Sequence, residues 1–173
     1  MVNVVLVGMP ASGKTTIATL LAEKLPDYTL IDTDNLIEKT QGISISEIFQ
    51  NFSEDYFRKL EHDTIQLICS SGIKKIISIG GGAFDNPDNR AVLLKFGLVF
   101  YLKSDLDILY YRISNDKKRP LLQNENPRKV LETLLNKREQ NYKKAHYTID
   151  TDTMSKEDIV RFILNEANIK SSN

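Results

Sequence analysis

Near its start the chain carries Gly8-Met9-Pro10-Ala11-Ser12-Gly13-Lys14-Thr15, and no other stretch restricts the possible fold as much. It fits the pattern G-x-x-x-x-G-K-[ST]. Before it, Val2 to Val7 is a β-branched apolar run broken only by Asn3, which predicts a buried strand; after it, Thr16 to Leu25 has helical spacing. Strand, glycine-rich loop and helix in succession are the context in which this pattern cradles a polyphosphate. The loop amides and the helix N-terminus then face the phosphates, Lys14 reaches the β and γ groups, and the Thr15 hydroxyl can ligate Mg²⁺. A turn that merely caps a helix would need neither the lysine nor the hydroxyl.

Composition narrows the partners. At 173 residues, with 41% hydrophobic and 27% charged side chains, one globular domain spanning 1–173 is expected. Lys plus Arg and Asp plus Glu balance at 23 each, so no global field recruits nucleic acid or an anionic membrane. Cys69 is alone and can form no internal disulfide; a core position in a reducing compartment is expected. The first strand leaves no room for a leader after Met1, and no apolar run approaches the ~20 residues of a membrane span, so a cytoplasmic protein is expected. His62 and His146 lack zinc-like spacing and are expected at the surface or behind a site.

Along the chain, Tyr28 to Ile31 predicts a second strand running into Asp32-Thr33-Asp34. At an extended strand end, residues two apart share a face, so both aspartates would project from the carboxyl edge of a sheet, beside the phosphate loop. One could support Mg²⁺, the other could accept a hydrogen bond from an attacking hydroxyl; capping the next helix, Asn35 to Thr40, is the other role open to them. A longer helix from Glu54 to Ser70 has an apolar face of Phe57, Leu60, Thr64, Leu67 and Ile68, with Glu54, Arg58 and Glu61 as a separate polar stripe. Arg58 could be an ordinary surface ion pair or, oriented by Glu61, a fork for a substrate carboxylate. The helix alone favours the former.

Ile76 to Ile79 predicts a third strand ending in Gly80-Gly81-Gly82, whose amides could meet a ligand or simply turn the chain. A helix from Pro87 to Phe96 and a strand from Leu98 to Leu102 carry no chemistry. The region from Arg112 to Pro127 reads as a lid, with Arg119 its natural phosphate-facing arginine, a solvated charged loop being the alternative. Then follow a helix from Arg128 to Lys144 bearing Arg138, a strand Tyr147 to Ile149, and a closing helix from Ser155 to Ala167. Five strands alternating with helices predict a three-layer α/β/α domain around a five-stranded parallel sheet.

The blocks G-M-P-A-S-G-K-T-T, D-T-D-N-L-I-E, I-S-E-I-F, E-D-Y-F-R-K-L-E, G-G-G-A, R-P-L-L and K-R-E-Q-N-Y, in this order and at these separations, closely resemble shikimate kinase, a phosphate-loop enzyme of the nucleoside monophosphate kinase-like fold. The resemblance implies transfer of the ATP γ-phosphoryl group to the 3-hydroxyl of shikimate, on the route to aromatic amino acids. It implies that Lys14 and the amides around it, from Ala11, Ser12 and Gly13 to Thr15 and Thr16, hold ATP, that Thr15 ligates Mg²⁺, and that Asp32 supports the metal through water. It implies that Asp34 positions the attacking hydroxyl, that Arg58 and Arg138 grip the carboxylate, that Gly81 gives a backbone contact, that Arg119 is the lid arginine, and that Arg112 lies along the adenine. Residues 33–61 would form the shikimate-binding region, and a monomer is expected. Ala11, where many relatives have glycine, and Ser53, before Glu54, depart from the usual pattern. So does the stretch Thr151-Asp152-Thr153-Met154-Ser155, which lacks the basic residue some relatives place near adenine. A gluconate or nucleoside monophosphate kinase and a non-catalytic ATP-binding module are the rival readings.

Overall fold

The computed structural model describes residues 2–114 and 126–169. Five strands, β1 (Asn3–Val7), β2 (Thr29–Asp32), β3 (Lys75–Ser78), β4 (Gly97–Lys103) and β5 (Tyr147–Asp150), form one sheet in the order β2-β3-β1-β4-β5. Every pairing is parallel. The helices are α1 (Lys14–Lys24), α2 (Thr33–Gln41), α3 (Ile45–Asn51), α4 (Glu54–Ser70), α5 (Pro87–Phe96), α6 (Leu106–Ser114), α7 (Pro127–Tyr142) and α8 (Lys156–Glu166), with a short 3₁₀ turn at Ala83–Asp85.

Parallel strands are covered on both faces, so they read as apolar runs whose alternate side chains enter two cores. Val4 and Leu6 of β1 join Ile17 and Leu21 of α1 and Ile159 and Ile163 of α8 on one face. Val5 and Val7 join Ile65 and Ile68 of α4, Leu93 of α5, Leu109 of α6 and Leu131 of α7 on the other. This is the expected α/β/α sandwich. A third, small cluster, Ile37, Ile48 and Phe57, ties α2, α3 and α4 into a separate flap. Because the strands are parallel, their carboxyl ends share one edge, where the phosphate loop, Asp32 and the glycine run all lie.

Two readings of the helices change. Leu67 is 70% exposed, and Ile65 takes the core position on α4. Glu61 is 3% exposed and lies on the same inward face as Ile65 and Ile68, one and two turns on, so it is no part of an outer polar stripe. Asp34 is not on an extended strand end either: Asp32 caps α2 directly, and Asp34 sits in its first turn. The departure at Ser53 has a plain cause, since its hydroxyl caps α4 by accepting from the Tyr56 amide at 3.2 Å. Ser44 and Glu47 form a reciprocal capping box on α3. His62 and His146 serve the scaffold: His62 Nδ1 faces Asn89 Oδ1 at 2.8 Å, and His146 Nδ1 accepts from the Val99 amide at 3.0 Å. Cys69 is half-buried at the margin of the core, where burial pushes its thiol up to about 11. Among the described residues no helix is long and apolar enough to cross a membrane.

Candidate active site

The phosphate loop leaves β1 at Gly8 and enters α1 at Gly13, both with positive φ. Ala11 adopts φ 65°, the left-handed region that favours glycine. Side chains cap α2, α3, α4, α5, α7 and α8, whereas no side chain caps α1. Its first amides are thus left for an external acceptor, which is what an anion site at a helix N-terminus requires. Lys14 Nζ donates to the carbonyls of Gly8 and Met9 at 2.9 and 2.8 Å, so its ammonium lies over the loop. The Ser12 side chain is buried, and its hydroxyl oxygen has no hydrogen-bond partner among the described residues.

Across the loop stand the two aspartates, and they divide their roles by atom. Asp32 Oδ1 accepts from the amides of Asp34 and Asn35, at 3.1 and 3.2 Å, while Oδ2 faces the Thr15 hydroxyl at 3.4 Å. Capping and facing the loop therefore coexist in one residue. A hydroxyl beside a carboxylate oxygen, next to an uncapped helix start, suits Mg²⁺, a hard cation that takes oxygen ligands and keeps several waters. Among the described residues no group of three or more His, Cys, Asp or Glu could hold a metal unaided, so phosphate oxygens would complete such a site. Asp34 Oδ1 is buried and has no hydrogen-bond partner among the described residues. Burial and then the charge of Asp32 hold its carboxyl above the usual carboxylate range, with Lys14 and Arg58 pulling the other way.

The glycine run forms a floor on which charged side chains from three helices converge. A Cβ placed on Gly80 would lie 2.3 Å from Asp34 Oδ1 and 3.2 Å from Glu61 Oε1; one placed on Gly82 would lie 2.6 Å from Arg58 Nη1 and 3.1 Å from Arg138 Nη2. Close approach, not a special φ, requires glycine here. Thr33 stitches this floor to the sheet, accepting from the Gly80 amide at 2.9 Å. No hydrogen bond among the described residues takes the Gly81 amide, and the Gly81 carbonyl accepts from the Tyr142 hydroxyl. Arg58 donates from Nη1 to Glu61 at 2.5 Å and from Nη2 to Glu54 at 3.0 Å, so it pairs with an exposed acid on one side and a buried one on the other. Burial raises the Glu61 carboxyl, and the Arg58 guanidinium opposes this.

A cavity of about 690 Å³ runs along this edge, lined by the phosphate loop, Asp32, Asp34, Gly80 and Gly81. Arg58 and Arg138 do not line it; they reach Gly82, the next residue of the floor. At the other end the cavity is bounded by Arg112, Met154 and Lys156. Arg112 donates to the Ala11 carbonyl at 3.3 Å and lies 3.7 Å from Asp152, which also accepts from the Ser104 hydroxyl and the Asp105 amide. Thr16 also lines the cavity. Arg119 and most of the expected lid lie outside the described residues.

Sequence reasoning missed Asp152, Lys156 and the burial of Glu61. Lys156 supplies a basic residue one position past the stretch that seemed to lack it, and its place as the first residue of α8, beside a strand end, was the signal available.

Known proteins resemble the chain over nearly its whole length. The family model described as "Shikimate kinase" matches residues 10–168. The shikimate kinase of Thermodesulfovibrio yellowstonii is 38% identical over 96% of this chain and 95% of its own length, and that of Clostridium botulinum is 42% identical over 94% and 95%. The solved shikimate kinase of Acinetobacter baumannii, in complex with shikimate, superposes with a TM-score of 0.88 at 37% identity, over 96% of this chain and 92% of that one.

Proposed function

The chain belongs to the shikimate kinase family of ATP-dependent phosphotransferases, and on that premise we propose that its sheet-edge pocket transfers the ATP γ-phosphoryl group to the 3-hydroxyl of shikimate. The observation that carries the reading is the convergence, on the floor Gly80 to Gly82, of two guanidinium groups and one unpartnered carboxylate oxygen. Shikimate offers one carboxylate and three hydroxyls, and that inventory complements it.

In this reading Lys14, with the amides of Ala11 to Thr16, holds the triphosphate, and Arg112 flanks the base. Thr15 and, through water, Asp32 would hold Mg²⁺, which when bound neutralises charge on the β- and γ-phosphates. Arg58 and Arg138 bind the shikimate carboxylate, and the Gly81 amide gives it a further contact. Asp34 Oδ1 accepts a hydrogen bond from the attacking hydroxyl and so turns a lone pair toward the γ-phosphorus. The hydroxyl oxygen bonds to phosphorus, the β–γ bridging bond breaks, and ADP departs. In a loose transition state the hydroxyl proton leaves late, passing to Asp34 Oδ1 as the new oxygen–phosphorus bond forms, so Asp34 acts first by orientation. Arg119 supplies further charge to the transferring group from the lid. The enzyme acts as a monomer in the cytoplasm, where ATP is supplied.

A coupled assay of ADP release tests this. Release is expected with ATP, Mg²⁺ and shikimate together, and not when gluconate or AMP replaces shikimate. Silence with shikimate, or a response to AMP instead, would overturn the assignment.

A further inference from the structure

Each arginine of the floor has its own acidic partner, and the partner of Arg138 comes from an unexpected place. Asp85 Oδ2 accepts from Arg138 Nε at 3.2 Å, and Asp85 Oδ1 accepts from Asn141 Nδ2 at 3.2 Å. The Arg138 side chain is 12% exposed and that of Asp85 is 24% exposed, so the pair is largely withdrawn from solvent. The bond falls on Nε, at the flank of the guanidinium, while Nη1 and Nη2 lie beside Gly81 and Gly82. A carboxylate arriving at the floor can therefore meet the Nη edge without displacing Asp85.

The turn that carries Asp85 is itself fixed. The Asp85 amide donates to the Gly82 carbonyl at 3.1 Å, and Arg90 Nη1 donates to the carbonyls of Phe84 and Asp85 at 2.9 and 3.2 Å. Buried Asn89 donates to the Ala83 carbonyl at 3.1 Å and meets His62 on its other side. Residues 82–85 thus form part of the floor and, three positions on, the anchor for the arginine above it.

We propose that Asp85 is a positioning residue, which aims the Nη edge of Arg138 at the floor and thereby sets the affinity for acceptors bearing a carboxylate. The proposal rests on the reading that Arg138 binds the shikimate carboxylate. An unanchored arginine would surrender rotamer freedom on binding each acceptor; one already held at Nε surrenders less.

Dissociation constants measured by calorimetry for shikimate, for its carboxamide analogue and for a non-hydrolysable ATP analogue provide the test, in the unaltered protein, Asp85→Ala, Asp85→Asn, Arg138→Ala and the Asp85→Ala/Arg138→Ala double variant. Asp85→Ala is expected to weaken shikimate binding about tenfold, as loss of one charge-assisted hydrogen bond would. Asp85→Asn, which keeps an acceptor oxygen, should recover part of this. The carboxamide and the nucleotide should bind as before, and Asp85→Ala should add nothing once Arg138 is gone. Equal weakening toward the carboxamide, no weakening at all, or the full effect persisting without Arg138 would overturn the proposal. If Arg138→Ala itself leaves shikimate affinity unchanged, the carboxylate reading fails and takes the proposal with it. Should Asp85→Ala not fold, Asp85→Asn and Asn141→Ala carry the same test, and a shikimate affinity unchanged in both overturns it.

Discussion

In its proposed role Asp34 meets the acceptor ring while buried, with no hydrogen-bond partner for Oδ1 among the described residues. That is a stability cost retained at a working site. Its folded carboxyl titrates above the ordinary range because of burial and the neighbouring Asp32. The folded state therefore holds this proton more tightly than the unfolded one, so the contribution of Asp34 to stability is greatest below the unfolded carboxylate value and is lost as pH rises through the folded value. Asp34→Asn is expected to raise Tm at neutral pH, with the gain shrinking toward pH ~4, near the unfolded carboxylate value. Thermal melts from pH 4 to 8 check this; an equal gain at both ends would contradict it. In the same variant kcat should fall by at least about 10²-fold, the usual loss of a group acting on the reacting proton. The sequence singled out Asp34 as a candidate site residue, but its lodging in a helix was not legible. Alternation along a strand and the first turn of a helix both bring residues two apart near one edge, and only the Asp32 cap distinguishes them.

Helix α4 shows why burial is harder to read than periodicity. A three-four spacing through Phe57, Leu60, Thr64, Leu67 and Ile68 is a sound apolar face, and Phe57 and Ile68 are buried, yet Glu61 and Ile65 complete the buried face and Leu67 is exposed. The two stripes differ by a fraction of a turn. What tips the helix is Glu61, which is stable inside only because Arg58 bonds it and the glycine floor admits it, and those partners are not visible from the helix alone. The start of the helix at Glu54 was legible in the sequence, and the hydroxyl of Ser53 supplies its cap. As Ser53 supplies a cap, Ser53→Ala should cost about 1 kcal/mol of stability and Ser53→Gly only a few tenths, as exchanges at N-caps do. Urea unfolding of the two variants distinguishes a cap from a spacer, and equal losses would deny it the capping role.

For the whole molecule, the strands were legible because parallel strands covered on both faces are nearly continuous apolar runs. Their order was not, because it depends on which crossover packs against which face. The convergence of Arg58 and Arg138 follows from that order: α4 leads into β3 and α7 into β5, strands on opposite sides of β1, yet both side chains reach one glycine. Arg58→Ala should therefore weaken shikimate binding by about 2 kcal/mol while nucleotide affinity is kept. The low end of the range applies because a third of the Arg58 side chain remains exposed. Shikimate-induced and nucleotide-induced thermal shifts, measured separately, check this, and equal loss of both would count against two independent subsites.

The two oxygens of Asp32 have a consequence for how such an enzyme can change. One oxygen starts the helix that carries the acceptor aspartate, and the other faces the hydroxyl on the nucleotide side. A single substitution there would loosen the grip on both reactants together, so selection cannot retune one through this position without disturbing the other. Acceptor preference is left to drift on the flap, since the glycine run has no room for a side chain and the aspartate that joins the two halves stays pinned.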